Sequence, residues 1–142
     1  NVSGETQKIR ISGGKIYLLQ KNKIIVCTPD DGQCKDFVVQ EGVCDFDVDG
    51  ECLYFWFRTG DMDRVHFKKL DDINSLAVEV CTYNNALHNM QLRLICAAPD
   101  GGINLFYTSN GNNCRALYEI NGTNAQLNRI QSDRFSRCGS LP

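Results

Sequence analysis

A chain of 142 residues with 42% apolar side chains is long enough for one packed domain with its own core. Its net charge of −2 comes from 15 basic and 17 acidic residues mixed along the chain, leaving no basic stripe for nucleic acid and no polybasic patch for a membrane surface. The longest apolar runs, residues 53–57 and 94–98, fall far short of the roughly 20 residues that cross a bilayer. The start, NVSGETQKIR, lacks the pattern of a signal peptide, so for a secreted protein the numbering begins at the mature end.

In chain order, residues 9–11 alternate as a short strand and run into a turn at Gly13-Gly14. Residues 15–20 (KIYLLQ) and 23–28 (KIIVCT) form a predicted hairpin around Lys21-Asn22. Pro29-Asp30-Asp31-Gly32 is a strong turn signal, followed by a strand at 35–40 (KDFVVQ). The stretch DFDVDGECLYFWFRTGDMDRVHFKKLD, residues 45–71, reads as strand, Asp49-Gly50 turn, apolar strand at 53–57, polar turn, and strand at 64–70. Residues 75–82 (SLAVEVCT) alternate as a half-buried strand should. The asparagine-rich segment 83–89 reads as a connector, with a short helical turn at 73–81 or 84–92 as the competing expectation. A third unit follows, with strands at 91–97, 103–108, 114–120 and 125–130 separated by turns at 99–102, 109–113 and 121–122. Residues 131–142 read as a polar tail anchored through Cys138.

Turn signals every 6 to 12 residues and the lack of a long 3.6-residue apolar stripe predict an all-β fold. Ile16-Tyr17, Leu53-Tyr54 and Leu105-Phe106 each follow a turn glycine, Gly14, Gly50 or Gly102. They stand 37 residues (16 to 53) and 52 residues (53 to 105) apart, a period expected of four-stranded propeller blades. The segment VDGECLYFWFRTGDMDRVHFKKLDD resembles a blade of the NHL or YWTD type of β-propeller, although no YWTD tetrapeptide is present. The resemblance implies three four-stranded antiparallel blade-like repeats at about 9–44, 45–84 and 90–130, within one disulfide-rich β domain spanning 1–142. Three blades do not close a ring, so the expected molecule is a partial propeller, either completed by a second copy or a piece of a longer chain. A β-trefoil, which closes within one chain, is the alternative.

Eight cysteines, Cys27, Cys34, Cys44, Cys52, Cys81, Cys96, Cys114 and Cys138, point to disulfides and an oxidising compartment. No CxxC pair supports a zinc site. Cys27 and Cys34 flank the 29–32 turn and pair locally if the hairpin register sets them opposite one another; otherwise each pairs elsewhere. The sequons at Asn1 and Asn121 agree with secretion.

Asp45, Asp47 and Asp49 match the D-x-D-x-D-G half of a calcium loop, but position twelve is Trp56 where a bidentate Glu is needed. An Asp-Gly hairpin turn is the favoured reading; were calcium bound, those three carboxylates would hold it. Two histidines are available as catalytic bases: His66, expected to face solvent from its strand, and His88 in the connector. No nucleophile elbow, metalloprotease motif, phosphate loop or cofactor motif is present, so no enzyme activity is expected. The remaining function is recognition. Tyr54, Trp56 and Arg58 share one face of a strand and, with Tyr107, are the candidate contacts for a protein partner, unless both faces of that strand are buried between neighbouring blades. A lectin-like glycan binder using the same aromatics and the Asn/Asp turns is the alternative, and a secreted hydrolase the second.

Overall fold

The computed structural model describes residues 4–99, 101–121 and 124–132. They form three four-stranded sheets, each an antiparallel meander with its strands in sequence order. Blade 1 contains β1 (Lys8–Ser12), β2 (Lys15–Gln20), β3 (Lys23–Thr28) and β4 (Gln33–Val39). Blade 2 contains β5 (Val43–Val48), β6 (Cys52–Thr59), β7 (Met62–Lys69) and β8 (Val78–Asn84). Blade 3 contains β9 (Met90–Ala97), β10 (Ile103–Ser109), β11 (Asn112–Asn121) and β12 (Asn124–Ser132).

The fold is therefore the blade-like, partial propeller architecture. The trefoil alternative is set aside, because the three sheets remain separate meanders and do not close into a barrel. The first strands β1, β5 and β9 lie side by side, so the blades fan out from a common axis.

Two apolar seams hold the fan together. Between blades 1 and 2, Tyr17, Leu19, Ile24 and Phe37 pack on Phe46, Leu53, Phe55 and Phe57. Between blades 2 and 3, Tyr54, Trp56, Val65, Phe67 and Tyr83 pack on Leu92, Ile95, Leu105 and Tyr107. Strand β6 explains its own composition. As a central strand of the middle blade it is covered on both faces, so it carries a continuous apolar run rather than an alternating one. At about 1.5–3 kcal/mol per fully buried large side chain, these seams outweigh the charged contacts that accompany them.

The asparagines do backbone work at the turns. Asn22 and Asn110 sit at φ +66° and +51°, a left-handed region that asparagine tolerates better than most residues. The 83–89 connector resolves in the same terms. Tyr83 belongs to β8 and is fully buried, its ring 5.6 Å from that of Tyr107. Asn84 then caps the single helical turn α1 (Asn85–His88), its side chain accepting from Leu87 N at 2.8 Å, and Asn89 closes the turn at φ +47°.

Candidate functional site

The aromatic residues expected to contact a partner are interior. Tyr54, Trp56 and Tyr107 are 1%, 5% and 1% exposed, because their strand faces form the seam between blades 2 and 3. Burial and an Asp49 hydrogen bond drive the Tyr54 phenol well above its ordinary range, and burial raises that of Tyr107 to about 12. Arg58 alone of the four reaches the surface. Its guanidinium lies 5.4 Å from the Trp56 ring and forks onto Asp63, with Nε to Oδ1 at 2.6 Å and a second nitrogen to Oδ2 at 3.1 Å. The partner-binding surface expected around these four residues is therefore not formed. The middle blade has neighbours on both sides, and its aromatic rows are used to hold them.

Asp45, Asp47 and Asp49 do not share a ligand sphere, which corrects the calcium-loop alternative. Asp45 pairs with Lys8 at 2.6 Å and accepts Ile95 N at 3.2 Å. Asp47 pairs with Arg10 at 3.0 Å and accepts Ala97 N at 2.7 Å. Asp49 instead closes its own hairpin, accepting Glu51 N and Cys52 N at 2.7 Å and the Tyr54 hydroxyl at 2.6 Å. The first two carboxylates each tie one blade on either side to blade 2. Lys8 and Arg10 went unsingled in the sequence, yet a signal was present: each stands 37 residues before its aspartate, the spacing of the first two repeats. Opposite charges at one phase of consecutive repeats mark an inter-blade contact.

Cys27 and Cys34 are cross-strand partners in the β3–β4 hairpin and form a disulfide. Cys114 is also disulfide-bonded. Cys44, Cys52, Cys81 and Cys96 are free thiols, against the expectation that they would be bridged. Register explains it: Cys52, Cys81 and Cys96 lie opposite Lys69, Val65 and Asn104, and Cys44 sits in the β5–β6 register shift with no partner opposite. Burial raises the pKa of all four, that of Cys81 to about 12, so none is poised as a thiolate nucleophile. Cys138 and Asn1 lie outside the described residues, and Asn121 is the last residue of β11.

His66 is half-buried rather than solvent-facing, its ring 5.0 Å from Phe57 and 5.7 Å from Phe55, and desolvation lowers its pKa. Lys68 is buried, and its ammonium donates to Phe37 O and Ile73 O, both at 2.7 Å, beneath the Phe37 ring. It pins the β7–β8 connector onto blade 1. Among the described residues no cluster of three or more His, Cys, Asp or Glu side chains could hold a metal, and no helix is long and apolar enough to cross a membrane.

The surfaces left open are the outer faces of the terminal blades. Lys8, Arg10 and Ser12 of β1 reach blade 2, so Ile9 and Ile11 point the other way, 54% and 71% exposed. Register places the half-buried Ile16 and Leu18 beside them on that face, with Ile25 and Cys27 buried in the next strand. On blade 3, the outward row Leu94, Phe106, Arg115 is mixed in character, with Leu94 41% exposed.

No protein-family model and no curated protein sequence matches the chain. Among solved structures, the fold is similar to that of TolB from Acinetobacter baumannii, a β-propeller protein, with a TM-score of 0.60 and 12% identity. The match covers 87% of this chain and 32% of TolB, so this chain spans about a third of the TolB length. At that identity the likeness establishes the fold, and with it the propeller character of the three blades.

Proposed function

We propose that this chain is a non-catalytic recognition module that binds protein through the open lateral faces of its blade stack, and that it works in an oxidising compartment outside the cytosol. The observation carrying this reading is the contrast between seams. Both internal blade faces are buried against neighbours, whereas the equivalent outer face of blade 1 presents Ile9 and Ile11 at 54% and 71% exposure beside a largely aliphatic sheet. A surface of that kind suits another β-sheet. A second copy of this chain supplies one, because the outer row of blade 3 brings Leu94 and Phe106, and two three-blade fans related by a two-fold axis complete a six-blade ring. The NHL or YWTD blade type is consistent with this reading, as are the Cys27–Cys34 disulfide and the sequons at Asn1 and Asn121 with an extracellular location. The groups that could do chemistry are otherwise committed: Asp45, Asp47 and Asp63 bridge blades, Lys68 pins a connector and the free thiols are held protonated.

Light scattering tests it. The expected mass is twice the 16.0 kDa of the chain, reverting to one chain in Ile9→Glu/Ile11→Glu with the circular dichroism unchanged. A wild-type protein that stays monomeric at about 100 μM, well above the Kd of a stable dimer, overturns the second-copy arrangement.

A further inference from the structure

On the outer rim of the molecule, where blade 1 meets blade 2, a cleft of about 170 Å³ opens between two extended segments. One is the end of β4 with Gln40, residues 38–40, and β4 is an edge strand with no neighbour beyond it. The other is residues 75–77, which run into β8. Between these lips the cleft is lined by Phe37, Phe55, His66 and Lys68.

Lys68 marks the cleft as more than a packing gap. It is 7% exposed, yet among the described residues no carboxylate stands within 4.0 Å of its ammonium. Two of its three N–H groups go to Phe37 O and Ile73 O, and the charge lies 4.3 Å from the centre of the Phe37 ring. Asp72, the one carboxylate whose field raises the Lys68 pKa against the larger effect of desolvation, accepts Asn74 N at 2.9 Å in its own turn and does not line the cleft. No Asp or Glu among the described residues does. Two carbonyl dipoles and a ring face solvate an ammonium but do not neutralise it, and a buried charge without a counter-ion is costly. The third N–H is the donor left for an anion that enters the cleft.

The lips select which anion. A single ammonium, with only a half-buried imidazole beside it, matches one carboxylate and leaves a phosphate or a polyanion under-compensated. Val39 and Leu76, 73% and 86% exposed on opposite lips, are an aliphatic pair that a third aliphatic side chain would take out of water. Gln40 N bonds Asn22 O on the β3 side, so by alternation the Val39 N–H and C=O point away from the sheet, free to pair with an extended chain. We propose that this cleft captures the free C-terminus of a partner protein that ends in an aliphatic residue. The terminal carboxylate accepts from Lys68 Nζ, the last side chain lies between Val39 and Leu76, and the residues before it run outward along the β4 edge. The cleft is separate from the outer face of blade 1, so the inference stands apart from the blade-stacking reading.

The test is fluorescence anisotropy of a hexapeptide labelled with fluorescein at its N-terminus and ending in valine and leucine, titrated with the full chain. Saturable binding is expected for the free acid, about tenfold weaker for the same peptide with an amidated C-terminus. Lys68→Met should bind acid and amide equally, a loss of selectivity that a merely structural role would not produce. Leu76→Asn, at an exposed position where folding is not at stake, should bind severalfold more weakly, and Ile9→Glu/Ile11→Glu should bind as the wild type does. Thermal melting confirms that each variant is folded. The proposal is overturned if binding does not saturate by about 1 mM, if acid and amide bind alike to the wild type, if Leu76→Asn binds normally, or if Ile9→Glu/Ile11→Glu loses binding. Displacement by octanoate at lower concentration than by unlabelled peptide also overturns it, since the cleft would then be a site for small acids.

Discussion

Asp63 and Arg58 face each other across the β6–β7 turn with Nε 2.6 Å from Oδ1, and the other Asp63 oxygen accepts Leu92 N of the next blade at 3.0 Å. Asp63 is fully buried, so one carboxylate both neutralises an arginine at the rim and ties blade 3 to blade 2. Asp63→Ala leaves the buried Leu92 amide without its acceptor and should cost about 1–3 kcal/mol in urea unfolding. Asp36→Ala, which breaks only the exposed Lys23–Asp36 pair, should stay within about 0.5 kcal/mol.

Trp56 is a packing residue, and its substitution should show as lost stability. Trp56→Ala is expected to cost about 3–5 kcal/mol by the cavity it leaves between blades 2 and 3. A stable, fully folded Trp56→Ala protein would show that the seam is not where the fold keeps its energy.

Gly102 and Gly60 both have positive φ, at +96° and +60°, and differ in surroundings. A Cβ on Gly102 collides with Tyr118 O, whereas one on Gly60 meets nothing within 4 Å. Gly60→Ala should therefore cost only the backbone preference, about 1 kcal/mol, and Gly102→Ala clearly more, since the β9–β10 turn must move. Thermal melts of the two variants side by side provide the comparison.

His66 sets an acid limb. Desolvation lowers its pKa in the folded chain, so the unfolded chain binds the proton more readily. Stability is complete above the unfolded histidine range near pH 6.5 and falls as pH drops through it, until the lower folded pKa is reached. Urea midpoints at about pH 7.5 and 5.5 should draw together in His66→Gln relative to the wild type. An unchanged gap would locate the acid limb elsewhere.

Thiol chemistry separates two of the free cysteines among the described residues. Cys44 is exposed and Cys52 buried, so a thiol reagent should label Cys44 in the native protein and reach Cys52 only on unfolding, as mass spectrometry of the labelled peptides will show.

Much of the strand layout was legible because turn chemistry is local. The Lys21-Asn22 and Asp49-Gly50 turns and the hairpin 15–28 follow from which residues accept left-handed or tight backbone, and strands β2 and β3 run as expected from their alternation and β-branched content. Tyr83 was missed, because three neighbouring asparagines suggested a loop while its burial depends on a ring from another blade. The site residues were harder still. Tyr54, Trp56 and Tyr107 have the composition of a binding hot spot and equally of a core, and side-chain chemistry alone does not distinguish the two.

From sequence alone came the all-β class, the repeat of about 45 residues and the possibility of a Cys27–Cys34 bridge, all products of short-range backbone preference and spacing. Only the packed chain decided which faces are interior, since that depends on which blade lies against which. Burial on both sides turned β6 from a surface into a seam, drew Lys8 and Arg10 onto Asp45 and Asp47, and left Ile9 and Ile11 outside. Contacts between residues 37 to 50 positions apart are set by how whole sheets stack, and no local pattern encodes that directly.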